Sequence, residues 1–331
     1  MKKIIATLFL LIFITSSLVS CNLITDLTRK EIRVGYMAGP TGMGMAKLIS
    51  DNGGLEGGND KYSFTKYTDT QLAKADLAAG KVDIICLPTN EAAVYFNTVD
   101  SDARILAVNC LNSLFFVSRG RENITSLSQL EGQTIYTCKN GTPRIVLEYI
   151  LKEAGINATV SYTVNGKEMI TPQDLSAQAI AGNIPNAVMP EPIVTSTMLK
   201  INAASSNTEL MWSVKINFSD EWEKVCDTPM TMGCIVASGN FVKYRKAKLN
   251  AFLEEYKASV EYVGNMANID SAANYVVETG VMGAVPAAKK ALLNLNGAIS
   301  YLDGEEMKNA LIFFYNAIGV PLPDNSFYYE K

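Results

Sequence analysis

The chain of 331 residues contains no histidine. That removes the side chain most often used as a general base near neutral pH, the commonest zinc ligand and every catalytic arrangement built on an imidazole. Cysteine is sparse and scattered: Cys21, Cys86, Cys110, Cys138, Cys226 and Cys234 include no C-x-x-C pair, so neither a zinc site nor a disulfide framework is indicated. Cys86 and Cys138 fall in apolar, strand-like runs and are expected as small core residues. Cys226 and Cys234 are the pair that an oxidising exterior would bridge, if any. Basic runs are missing too, and the formal net charge is −4, so nucleic acid is not an expected partner. Beyond the N-terminal segment no apolar stretch approaches the length of a membrane span. No metal and no cofactor are expected.

What is present begins with an export signal. Met1-Lys2-Lys3 is a short basic start, and Ile4 to Ile14 is apolar apart from Thr7. The run is too short to span a bilayer, and the polar Thr15-Ser16-Ser17 argues against a transmembrane helix. Leu18-Val19-Ser20-Cys21 resembles the lipobox of bacterial lipoproteins. That resemblance implies a signal peptide over residues 1–20, lipid on Cys21, a polar tether over 21–30 and an extracytoplasmic protein anchored to the bilayer. Losing Lys2 and Lys3 takes the formal charge from −4 to −6.

The clearest local design is Ile32 to Ser50. Ile32, Val34 and Tyr36 alternate with other residues as a strand does, and Ala38-Gly39-Pro40-Thr41-Gly42 is turn chemistry with Thr41 as a cap candidate. Helical residues follow from Met43. A strand that turns sharply into a helix aims unpaired N–H groups at whatever lies above the strand end. The glycines match neither G-x-G-x-x-G nor a phosphate loop. Later segments repeat the device. Val82 to Leu87 is an apolar strand running into Pro88-Thr89-Asn90 and a helix. Thr134 to Cys138 runs into Lys139-Asn140-Gly141-Thr142-Pro143 and a helix from Arg144 to Ala154. Ala187-Val188-Met189 runs into Pro190-Glu191-Pro192 and a helix from Ile193. Gly80 to Pro88 and Gly182 to Pro190 have the same spacing, an internal echo of turn chemistry.

This alternation predicts an α/β fold with buried, parallel strands. After the strand Thr231 to Ser238 the chain is almost wholly helical, which predicts a return of that tail to the first sheet. The chain then crosses twice between two lobes, near Phe115 to Arg119 and near Met232 to Ala237. The expected division is 31–116 with 236–331 as lobe 1, and 117–235 as lobe 2, with ligand between them at the carboxyl ends of the strands.

Several stretches carry a family resemblance: RVGYMAGPTGMGMAKLI, GKVDIICLPTNEAAV, LEGQTIYTCKNGTPRIVLEYILKEAGI, AGNIPNAVMPEP, FLEEYKASVEYV, DGEEMKNALIFFY and LPDNSFYY. Together they resemble the substrate-binding proteins of bacterial ABC importers, in the subgroup related to binders of nitrate, sulfonates, taurine and thiamine-type pyrimidines. The resemblance implies a type II periplasmic-binding-protein fold of two lobes with two hinge crossings, delivering a small ligand to an ABC permease and its ATPase. It places ligand contacts in four turns, at Tyr36, Gly39, Thr41, Gly42, Thr89, Asn90, Asn140, Thr142 and Glu191. Lys139 is the one cation in those turns, and the Glu191 carboxylate favours N–H or cationic groups. Tyr36 and Tyr136 are candidates to flank a flat ring. A nitrogen heterocycle or amine-bearing ligand is therefore expected over a sulfonate or nitrate. Thr41, Asn90 and Thr142 are equally ordinary as helix caps, and the tyrosines as core. Two other functions stay open on the same scaffold: an enzyme of the pyrimidine- or menaquinone-precursor type, and a ligand-sensing module.

Overall fold

The computed structural model describes residues 29–55, 60–120, 124–226 and 228–331. The expected signal peptide and the lipidated Cys21 lie outside the described residues.

Ile32, Val34 and Tyr36 are buried as their alternation requires, and they belong to β1 (Ile32–Met37). β1 pairs in parallel with β2 (Tyr62–Tyr67) and with β3 (Ile84–Pro88). β4 (Arg104–Leu111) stands at the far edge of this sheet. The chain then leaves it, and β5 (Leu114–Arg119) is the middle strand of a second sheet. β6 (Thr134–Tyr136) and β7 (Thr159–Ser161) form a parallel pair. β8 (Thr163–Val164) and β9 (Lys167–Glu168) form a small hairpin. β10 (Asn186–Pro190) and β11 (Trp212–Asn217) flank β5 on either side, both antiparallel to it. β12 (Thr231–Ala237) returns to the first sheet between β3 and β4, giving the order β2-β1-β3-β12-β4.

The expectation of parallel strands therefore holds for β1, β2 and β3 and for the β6–β7 pair, and fails elsewhere. β12 re-enters the first sheet from the second lobe, and it pairs antiparallel with both β3 and β4. The exchanges between sheets also fall away from residues 116 and 236. Phe116 is inside β5 and Val236 inside β12, so the chain crosses at Asn112-Ser113 and again between β11 and β12. β7, β8 and β9 have two or three residues each, too few to establish a period in the sequence.

The helical tail packs where it was expected. Leu249, Phe252, Leu253, Tyr256 and Val260 of the helix Lys246–Gly264 share one core with Val34, Tyr36, Ile84 and Ile235. Full burial of a side chain such as Phe252 contributes about 1.5–3 kcal/mol. Helix Gly304–Ala317 covers the opposite face through Met307, Leu311 and Phe314, against Ile85, Leu87, Val108 and Val236. That second core continues into the other lobe. Trp222 lies 5.4 Å from the Phe314 ring and 5.3 Å from Tyr149 on helix Thr142–Glu153, so an aromatic seam joins the lobes. Cys226 and Cys234 are separate buried thiols, as are Cys86, Cys110 and Cys138.

Candidate functional site

Five strand-to-helix turns converge on a cleft of about 290 Å³ between the lobes. The first runs from β1 into the short helix Pro40–Met43. At Gly42 the Met37 carbonyl oxygen occupies the space a Cβ would need, so only glycine fits this tight a turn. Gly39, and not Thr41, stands at the cap position, and no side chain caps the helix. The turn is held from beneath instead. The Thr41 carbonyl accepts from Asn109 Nδ2 at 3.5 Å and from Cys86 Sγ at 3.8 Å, and Asn109 Nδ2 also donates to Tyr256. The second turn follows β2, where Asp69 Oδ1 accepts the Gln71 and Leu72 N–H groups at 2.7 and 3.1 Å and starts helix Thr70–Ala78.

From β3 the chain passes through Pro88 into helix Thr89–Thr98. Across the cleft, Gly141 precedes helix Thr142–Glu153, and Pro190-Glu191-Pro192 precedes helix Ile193–Ala203. A further cleft-lining segment, Ile170 to Gln173, runs into the first turn of helix Pro172–Ile180, with Thr171 as its side-chain cap.

Of the residues expected to bind ligand, Gly39, Thr41, Asn140, Thr142 and Glu191 line this cleft. Asn90 is buried just behind it, and the Thr142 hydroxyl donates to Asn90 Oδ1 at 3.1 Å, tying one lobe to the other. The remaining three face elsewhere. Tyr36 is fully buried, with its hydroxyl donating to the Thr279 carbonyl at 2.8 Å on the helical-tail side. Thr89 donates to the Thr231 carbonyl at 2.5 Å. Gly42 is buried inside its turn. Tyr136 packs against the core of the second sheet. Lys139 reaches both Glu168 oxygens at 2.8 Å and lies over the Tyr162 ring, so the one cation of the four turns is engaged outside the cleft.

The cleft also holds groups that the sequence reading passed over: Asp69, Gln71, Glu91, Cys110, Ser113, Gln173 and Met232. For Asp69 and Thr171 the signal was available, since each sits in a strand-end turn with a capping residue before a helix. Cys110, Ser113 and Met232 carry no such signal, because they reach the cleft through the crossings between sheets.

Among the described residues the lining includes three carboxylates, Asp69, Glu91 and Glu191, and neither lysine, arginine nor an aromatic ring. Glu91 is paired with Lys74 at 2.5 Å. Glu191 is fully buried, and it accepts from Thr195 N at 3.1 Å, Thr195 Oγ1 at 2.8 Å and Asn294 Nδ2 at 2.6 Å. Burial pushes its carboxyl up from the ordinary value, and the bonds from Asn294 and Thr195 hold it partway back. The same burial pushes the Cys110 thiol up to about 12, so it stays un-ionised near neutral pH. No group of three or more cysteine, aspartate or glutamate residues suited to a metal ion occurs among the described residues.

Residues 101–266 match the family model described as NMT1/THI5 like. The chain belongs to the NMT1/THI5-like family. Among solved structures, this NMT1/THI5-like protein is similar to an ABC transporter from Parabacteroides distasonis, at 20% identity over 91% of this chain and 99% of that one, with a TM-score of 0.68. It is similar to the periplasmic aliphatic sulphonate binding protein SsuA of Escherichia coli at 15% identity, covering 91% and 92% of the two chains, TM-score 0.65. The periplasmic nitrate-binding protein NrtA of Synechocystis PCC 6803 matches at 11% identity, covering 85% and 75%, TM-score 0.60. At these identities the likeness establishes the fold, the two-lobed type II periplasmic-binding-protein architecture. No curated protein matches the sequence.

Proposed function

We propose that the protein is the extracytoplasmic solute-binding component of an ABC importer, tethered through lipid on Cys21, which holds a small organic ligand between its lobes and hands it to a membrane permease and its ATPase. The observation that carries this reading is the cleft. Helix starts from both lobes converge on one cavity, and the Thr142–Asn90 bond ties the two lobes together at its back. The solved relatives that are named as ABC-transporter and sulphonate- or nitrate-binding proteins support the same role.

The ligand is an amine or another donor-bearing solute rather than a sulfonate or nitrate. Carboxylates line the walls and Lys139 is turned away, so a bare anion meets helix N-termini without a cationic side chain. Flat-ring recognition loses its support, because Tyr36 is a core residue, Tyr136 packs against the core of the second sheet, and neither lines the cleft. The protein acts by capture without turnover: there is no histidine, and the one thiol in the cleft is held un-ionised.

Thermal unfolding of the purified full chain in the presence of separate aliphatic amines, alkanesulfonates and nitrate tests both parts. A ligand at 100 times its Kd stabilises by about 2.7 kcal/mol. Stabilisation by amines alone is expected. Stabilisation by sulfonates or nitrate alone overturns the ligand class. If no solute stabilises the chain and denaturation releases no small molecule, the binding role itself is overturned.

A further inference from the structure

Glu191 opens the second lobe's helix Ile193–Ala203, yet one of its partners belongs to the first lobe. Asn294 is the last residue of helix Val285–Asn294, whose Ala288, Ala291 and Leu292 are buried in the core of the first sheet. Val194 and Met198 of helix Ile193–Ala203 are buried in the core of the second sheet. The two helices pack against each other, and the bond from Asn294 Nδ2 to Glu191 Oε1, 2.6 Å long, runs between them. The Glu191 N–H donates to the Ser113 carbonyl at 3.0 Å, which is the crossing between the lobes. One fully buried residue thus touches the crossing through its backbone, and the start of a second-lobe helix and the end of a first-lobe helix through its carboxylate.

We infer that Asn294 is a positioning residue for the cleft, donating from the first lobe to Glu191 and so pinning the start of helix Ile193–Ala203 against that lobe. Three features support this. Every bond to the Glu191 carboxylate comes from a donor, so the amide of Asn294 must present its Nδ2. Glu191 is 0% exposed, so water does not compete for the bond. Asn294 lies outside the cleft lining, which makes its effect on the cleft pass through Glu191. The groups facing Glu191 are Thr195 and Asn294, both neutral, and the charge acting on it is that of Lys290, on the same helix as Asn294.

The test uses the full chain and needs no solute, so its outcome is separate from that of the transport reading. Hydrogen–deuterium exchange, corrected for its intrinsic pH dependence, is followed over residues 190–200 and 285–296. Asn294→Asp places a second carboxylate against Glu191, which repels it at neutral pH and shares one proton with it in acid. Exchange in both segments is expected to quicken about tenfold or more near neutral pH, and to return toward the parent as the pH falls to about 5. The double change Glu191→Gln with Asn294→Asp reverses donor and acceptor across the same gap. It should restore parental protection at both pH values. Parental exchange in Asn294→Asp at neutral pH overturns the inference. So does a swap no better protected than the single variant. If Asn294→Asp does not fold, the swap decides alone: parental protection upholds the pin and its absence refutes it.

Discussion

Gly233 lies in β12 directly beneath the first turn of the cleft, and replacing it with alanine probes how tightly that turn is held. The backbone there is conformationally ordinary, so alanine brings no dihedral strain and the effect is steric. The added methyl would overlap Thr41 Cγ2 and lie 3.0 Å from Asn109 Oδ1 and 3.1 Å from Cys110 Cβ. Asn109 is fully buried and Cys110 nearly so, and the Thr41 carbonyl is held by Asn109 and Cys86, so relief can come only from the Thr41 side chain turning into the cleft it lines. Overpacking of this kind costs about 1–3 kcal/mol. Urea unfolding of Gly233→Ala should show a lowered midpoint with an unchanged slope. Thr41→Ser removes the methyl group that is struck while keeping the hydroxyl. The double variant should therefore recover much of the loss, with a coupling of about 0.5–3 kcal/mol between the two sites. Because Thr41 lines the cleft, affinity for the solute should fall in the single variant and recover in the double. A Gly233→Ala protein as stable as the parent, or a Thr41→Ser change that gives no recovery, would refute this account of the turn.

Further outcomes are expected. Cys21→Ala should abolish palmitate labelling and processing, and a variant that is still cleaved and labelled removes the lipid anchor from the reading. Removing Thr142 and Asn90 singly and together, as Thr142→Val and Asn90→Leu, should show a coupling of about 0.5–1.5 kcal/mol in urea unfolding; additive losses mean that the bond between the lobes contributes nothing. Glu191 has a folded-state pKa raised above the ordinary 4.5, so its contribution is fully present below that value and is lost as pH rises through the folded value. Glu191→Gln should therefore flatten this part of the parent's stability profile above about pH 4.5, and an unchanged slope would contradict the raised value. Trp222 sits in the seam between lobes and Trp212 is the other of the 2 tryptophans, so in a Trp212→Phe protein a saturating solute should shift the remaining emission. A constant spectrum at saturation argues against lobe closure.

The sequence by itself determined the local devices. Alternating Ile32, Val34 and Tyr36 built β1, and the Gly80 to Pro88 echo at Gly182 to Pro190 appears as two five-residue strands, β3 and β10, each ending at its proline. These features depend on residues adjacent in the chain, through φ preferences, caps and period. The helical tail was legible for the same reason, and its return to the first sheet followed because its apolar stripe had to be covered. What only the tertiary structure decided is which way each turn residue points. Tyr36 is drawn to the Thr279 carbonyl, Thr89 to Thr231, Lys139 to Glu168 and Glu191 to Asn294, all partners from distant parts of the chain. A strand's period assigns side chains to two faces, yet it does not say which face meets the cleft and which meets a helix arriving a hundred or more residues later. The β12 pairing and the two crossings are likewise non-local choices. That is why the turns could be found from neighbouring residues, while the membership of the cleft was set by how those turns pack against segments far away in sequence.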